Sequence, residues 1–150
     1  MRMIDNFRYD YFFLSNFFPH TMVVDDKTFI TNEHFFQASK AQTTDDFEAV
    51  RNTSTPRDSK HMGRVIPVRL DWEMIKQDIM LKGLRVKFSD PVLLAKLLAT
   101  EDATLVEGNT WHDQYWGRCD CTKHGGEGEN WLGRMLMQIR DELRAARWSH

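Results

Sequence analysis

The sequence predicts one mostly helical domain with a few short strands, and three features carry that expectation. Apolar side chains recur at helical spacing in several stretches, most of them opened by a capping Thr, Asn or Asp. Strand-like runs are few and short, with turn residues between them. At 150 residues, without a Pro/Gly/Ser-rich linker, repeat or low-complexity tract, the chain suffices for one sizeable core and is too short for two.

The elements follow in order. Phe7–Phe18 is crowded with aromatics and reads as a core-forming loop, interrupted by Leu14-Ser15-Asn16-Phe17, where two small polar groups set a turn. Met22-Val23-Val24, Asp25-Asp26-Lys27 and Thr28-Phe29-Ile30 read as strand, turn and strand. Thr31 or Asn32 then caps a helix over TNEHFFQASK, and Thr44 is the candidate cap of a short helix over Asp45–Asn52. Thr55-Pro56 starts another helix that Gly63 ends. Asp71 caps a longer one carrying Trp72, Ile75, Ile79, Leu84 and Phe88, broken at Ser89-Asp90-Pro91. Asp90-Pro91 opens a Leu-rich helix through Ala99, Leu105–Glu107 is a short strand, and Trp131–Arg147 is the closing helix. Between the last two lies the irregular, glycine-rich segment Gly108–Asn130.

Composition excludes some classes of function. The chain is 41% hydrophobic and 28% charged with a net charge of −2, which gives no global electrostatic case for tight nucleic-acid binding. No apolar run approaches the roughly 20 residues of a membrane span. The start, MRMIDNFRYD, has no signal-peptide core, so a cytoplasmic location is expected. Cys119 and Cys121 sit one residue apart, unlike a disulfide framework.

Two stretches carry chemistry. Glu33, Gln37 and Lys40 are spaced to share one helical face, which makes either a surface charge pair or an acid/base and nucleophile pair beside aromatic surface. Arg64, just past a helix end, is a solvent arginine or a fork for phosphate. In the irregular loop, Asp113, Tyr115 and Trp116 supply a carboxylate, a phenol and a stacking face, and Trp72 is core or pocket wall. His112, Cys119, Cys121 and His124 invite a zinc reading, but their spacing matches none of the common paired C-x2-C frameworks, and no metal is expected.

Together these residues resemble the NADAR, or YbiA-like, family. Glu33-His34-Phe35-Phe36-Gln37-Ala38-Ser39-Lys40 is similar to its EH(Y/F)FQAxK segment. Leu14-Ser15-Asn16-Phe17, Met62-Gly63-Arg64, Asp71-Trp72-Glu73, Asp113-Gln114-Tyr115-Trp116-Gly117 and Asn130–Met137 follow the family's order. The likeness runs from about Phe13 to about Leu143; the segment from Gly117 to Asn130 departs from the pattern by its length.

The resemblance implies a compact α+β fold and N-glycoside hydrolysis without metal or redox cofactor. It implies Glu33 as acid/base, Lys40 as a Schiff-base nucleophile and Asp113 as a second functional carboxylate. Ser15, Asn16, Phe17, Arg64, Trp72, Tyr115, Trp116 and Gly117 would bind substrate. That substrate would be ribosylated or ADP-ribosylated: ADP-ribose on the exocyclic amine of guanine, with transient DNA or RNA contact, or an early riboflavin-pathway pyrimidine carrying ribose 5-phosphate. Two further readings stay open, a nucleotide-binding module that cleaves nothing and a zinc-dependent hydrolase using the cysteines and histidines.

Overall fold

The computed structural model describes residues 2–148. Strand β1 (Met3–Ile4) comes first. The aromatic run then coils into a 3-10 helix, Tyr9–Leu14, instead of the expected loop, burying Phe13 and Leu14 while Tyr9 and Phe12 stay exposed. Strands β2 (Met22–Val24) and β3 (Lys27–Phe29) form the expected antiparallel hairpin, with Met22 opposite Phe29. Asp25 and Asp26 take φ of 51° and 66°, the left-handed pair that a tight two-residue hairpin turn requires and that Asp tolerates.

Four helices follow. Helix α1 (Asn32–Ala38) is capped by Thr31, whose hydroxyl accepts the His34 N–H at 3.1 Å. Helix α2 (Thr44–Arg51) begins one residue earlier than expected, because Thr43 and not Thr44 accepts the N–H of Asp46, at 3.2 Å. Helix α3 (Pro56–Gly63) has Thr55 as its cap and proline in its first turn. Helix α4 (Trp72–Lys87) starts where expected, but the Asp71 carboxylate does not cap it: Arg69 forks onto both its oxygens at 2.6 and 3.0 Å.

Helix α5 (Pro91–Leu98) is capped by Asp90, which accepts the N–H groups of Val92 and Leu93. Strand β4 (Thr104–Leu105) starts one residue before the expected Leu105–Glu107 strand and ends at Leu105, and the irregular segment contains two more two-residue strands, β5 (Gly108–Asn109) and β6 (Arg118–Cys119). Strand β1 pairs with β4 and β5 with β6, each in parallel. Helix α6 (Trp131–Trp148) closes the described chain. The fold is α+β and predominantly helical, as expected, and none of its helices among the described residues is long and apolar enough to cross a membrane.

Packing groups the chain into two units, Asn16–Lys87 and the segments on either side of it. In the Asn16–Lys87 unit, α1 packs against α2, α3 and α4. Phe29 is the centre of its core, meeting Phe35 and Phe47 edge-on at 5.3 and 5.9 Å, with Met22, Val24, Val50 and Ile66 around them. In the other unit α6 packs against α5 and β4. Leu132, Met135, Leu136 and Ile139 are the buried stripe of α6, and Leu143 at its far end is half-buried.

Candidate active site

Helix α1 is buried on every side, which decides how its polar residues read. Glu33 is 6% exposed and Gln37 5%, so Glu33 belongs to no surface charge pair. A buried carboxylate needs partners. Gln37 supplies one, its Nε2 donating to Glu33 Oε1 at 2.8 Å across one helical turn. The backbone N–H of Glu33 donates to the Asn16 carbonyl at 3.0 Å, and the Asn32 side chain donates to Asn16 Oδ1 at 2.8 Å. Two glycines make room for this polar layer. A Cβ at Gly63 would strike the Gln37 carboxamide, and one at Gly83 would strike Asn32 Oδ1 and the Phe35 ring.

Within the same motif His34 anchors the helix. It is fully buried, with Nδ1 2.7 Å from the Thr31 hydroxyl and Nε2 3.0 Å from the Thr53 carbonyl. Burial lowers its pKa, so the ring is neutral, donating from Nε2 and accepting at Nδ1.

Lys40 is not on the helix. The helix ends at Ala38, Ser39 is its C-cap, and Lys40 sits in the turn beyond, its N–H donating to Gln37 O at 3.2 Å. Its carbonyl accepts the Arg69 N–H at 2.8 Å, and Ala41 bridges to Val68, which fixes the turn from outside. The half-buried Lys40 side chain reaches over aromatic faces, Nζ lying 5.8 Å from the Phe36 ring centre and 6.0 Å from that of Trp72. Those two rings are tilted against each other at 5.1 Å, and Trp72 is buried.

Desolvation is the main influence on this amine and pushes its pKa below the ordinary lysine range. The Glu33 charge opposes that shift, while Arg64, Lys60 and Lys76 add to it. Lys60 Nζ in turn lies 5.9 Å from the Phe17 ring, and Arg64, the C-cap of α3, is exposed. Glu33, Lys40, Asn16, Phe17, Arg64 and Trp72 thus share one unit, and the cations around Lys40 suit an anionic substrate.

The remaining expected site residues lie in the other unit. Ser15 ends the 3-10 helix, its N–H donating to Phe12 O. Asp113 holds its own loop, Oδ1 accepting the N–H groups of Tyr115 at 3.1 Å and Trp116 at 2.9 Å. Asn109, which the sequence reading passed over, clamps Asp113 in both directions: Oδ1 accepts its N–H at 3.1 Å and Nδ2 donates to its carbonyl at 2.8 Å. Its side-chain amide is buried and central to the loop, yet no motif or periodicity marks it. Tyr115 and Trp116 are half-buried and meet edge-on at 4.8 Å. Gly117 has a backbone reason to be glycine, since a Cβ there would collide with the Glu107 backbone and side chain.

The NADAR domain pattern matches residues 5–144. The chain belongs to the NADAR family. It is 42% identical over 137 residues to the N-glycosidase YbiA of Escherichia coli (strain K12), spanning 89% of this chain and 82% of that one. An N-glycosidase of Nostoc punctiforme is 35% identical over 136 residues, spanning 87% of this chain and 84% of its own. The chloroplastic riboflavin biosynthesis protein PYRR of Zea mays is 37% identical over 147 residues, which cover 86% of this chain but 23% of that longer protein. The solution NMR structure of the E. coli protein YbiA superposes with a TM-score of 0.83 at 39% identity, covering 100% of this chain and 90% of that one. This NADAR protein is therefore an enzyme, a hydrolase acting on N-glycosyl bonds.

Proposed function

We propose that the protein releases phosphorylated ribose from an exocyclic amine, with ADP-ribose on the amine of guanine in DNA or RNA as its substrate. The observation that carries the reading is Lys40: a half-buried amine over Phe36 and Trp72, electrostatically coupled to a buried carboxylate in a cationic setting. When ribose hangs on an exocyclic nitrogen, that nitrogen's lone pair expels the ring oxygen and leaves an iminium at C1. Glu33 gives the ring oxygen its proton. Neutral Lys40 adds to C1, the base amine leaves with a proton, and C1 stays bound to Nζ as a Schiff base. Water, deprotonated by Glu33, adds to C1 and releases the sugar and the free amine. The balance is one water consumed per N-glycosyl bond broken.

In the same reading, Arg64, Asn16, Phe17 and Ser15 bind phosphate or ribose. Asp113 steadies ribose hydroxyls with the carboxylate oxygen its loop leaves over, and Tyr115, Trp116 and Gly117 shape the face for the base. The riboflavin biosynthesis relative supports a second substrate of the same chemistry, a pyrimidine bearing ribose 5-phosphate on an amine. Incubation with guanine-linked ADP-ribose in DNA, in RNA, and with the ribosylamino-pyrimidine phosphate separates the two. Base release from the nucleic acids at far higher kcat/KM supports the first, the reverse ranking supports the second, and release from neither rejects both.

Two predictions attach to this mechanism. Because only the neutral amine attacks, kcat/KM should rise with pH as Lys40 loses its proton. The midpoint should fall below the ordinary lysine range, in the direction of the burial-driven shift. A pH–rate profile flat through that region would remove a titrating amine from the mechanism. Trp116→Ala should weaken substrate binding by about 1–3 kcal/mol, the scale of aromatic stacking on a base. Calorimetry with a non-cleaved analogue measures this, and a lower melting temperature with unchanged affinity would assign the ring to packing instead.

A further inference from the structure

We propose that His112, Cys119, Cys121 and His124 bind one zinc ion that ties together the two ends of the segment carrying Asp113, Tyr115 and Trp116. The donor atoms of all four side chains lie within 4.8 Å of one another. The two Nδ1 atoms are 3.4 Å apart. His112 Nδ1 lies 3.5 Å from Cys121 Sγ and 3.7 Å from Cys119 Sγ, and His124 Nδ1 lies 3.1 Å from Cys121 Sγ. A tetrahedral zinc with Zn–N of about 2.0–2.1 Å and Zn–S of about 2.3 Å separates its ligands by roughly 3.4 Å for a nitrogen pair and 3.6 Å for nitrogen and sulfur. Three of these four separations, 3.4, 3.5 and 3.7 Å, match such a shell, and the His124–Cys121 pair at 3.1 Å is shorter than it.

Hydrogen bonding alone accounts poorly for this cluster. His112 Nδ1 faces three other donor atoms at once, and an imidazole nitrogen can make one hydrogen bond, giving or accepting a single proton. Four ligand atoms gathered this closely fit a cation, and two sulfurs with two imidazole nitrogens fit zinc. On binding, both thiols release their protons, so the two thiolates neutralise the dication.

The backbone is arranged around the same point. The His124 N–H donates to Cys121 Sγ at 3.3 Å, the kind of outer bond that orients a metal-bound thiolate. The turn closes through Gly125 N–H to Cys121 O at 2.9 Å and Gly126 N–H to Cys119 O at 2.8 Å. Gly125 and Gly126 take φ of 58° and 87° with open space around them, so they are glycines for their backbone angles. His112 has φ of 70° without being glycine, a conformation that brings its ring onto the cluster. Cys119 is fully buried, Cys121 and His124 half-buried, and His112 exposed, so an ion could enter from solvent.

Spacing alone hid the site. The run from His112 to His124 is His-x6-Cys-x-Cys-x2-His, and the parallel pairing of β5 with β6 is what fixes Cys119 within it. With four protein ligands the ion would have no open position, so it is structural and takes no part in hydrolysis. This proposal stands independently of the reaction above.

The test uses untagged full-length protein purified in reducing buffer. Elemental analysis should find about one zinc per chain. Exchange for cobalt(II) should give the intense visible bands of a tetrahedral site with thiolate charge transfer. Chelation should lower the melting temperature by roughly 5–10 °C, the response of a chain this size to loss of a tight ligand. Cys121→Ser and His112→Gln, both at accessible positions, should lose the metal and the cobalt spectrum while far-UV circular dichroism stays native. Folded protein that takes up neither metal would overturn the proposal. So would zinc retained at full stoichiometry in the Cys121→Ser, His112→Gln double variant.

Discussion

Sodium borohydride added during turnover should leave a covalent sugar on Lys40, and Lys40→Arg should abolish both the adduct and the reaction. The imine at C1 is the one intermediate on the proposed path that hydride reduces to a stable secondary amine. A glycosidase working with two carboxylates passes through an oxocarbenium-like state or an ester, and borohydride traps no amine adduct from it. Arginine is the informative replacement. It keeps the positive charge and can keep the stacking on Phe36 and Trp72, yet stays protonated and cannot attack. Losing a nucleophile costs on the order of 10⁴–10⁶ in kcat where the remaining machinery depends on it. Peptide mass spectrometry locates the adduct. No adduct together with retained activity in Lys40→Arg would make Lys40 a charge partner and leave direct hydrolysis to Glu33 and Asp113.

The sequence made the local devices legible and hid those that depend on distant chain. Asp25-Asp26 between two short apolar runs, Thr55-Pro56 and Asp90-Pro91 each specify their turn or cap from neighbouring residues, and each forms as read. Asp71 looked like a cap by the same reasoning, but Arg69, two residues earlier, takes its carboxylate. Lys40 looked helical because its spacing from Glu33 is helical. The helix stops at Ala38 because the backbone beyond it pairs with Val68 and Arg69, which no local pattern announces. Burial was the other hidden quantity. The Glu33 and Gln37 pair reads as solvent-exposed until three packed helices enclose it, with Gly63 set against the Gln37 carboxamide. The loop after β4 was least legible of all, since two-residue parallel strands carry no periodicity.

Glu33→Gln should reduce cleavage by roughly 10²–10⁴ while leaving the fold intact, the usual scale for losing a positioned acid/base. The replacement is close to isosteric. The new carboxamide oxygen can still accept from Gln37 Nε2, and the backbone bond to Asn16 is untouched, so the melting temperature should barely move. Electrostatics give this variant its power to discriminate. The Glu33 charge holds the Lys40 pKa up against desolvation, so removing it lowers that pKa further and increases the share of neutral amine at neutral pH. If Glu33 were only a charge partner, Glu33→Gln would therefore cleave as fast as the parent enzyme or faster. If Glu33 shuttles the proton to the ring oxygen and then from water, the reaction slows although the nucleophile is more available. The rising limb of the pH–rate profile should move to lower pH while its plateau falls. An unchanged or raised plateau in a correctly folded variant would take Glu33 out of the chemistry.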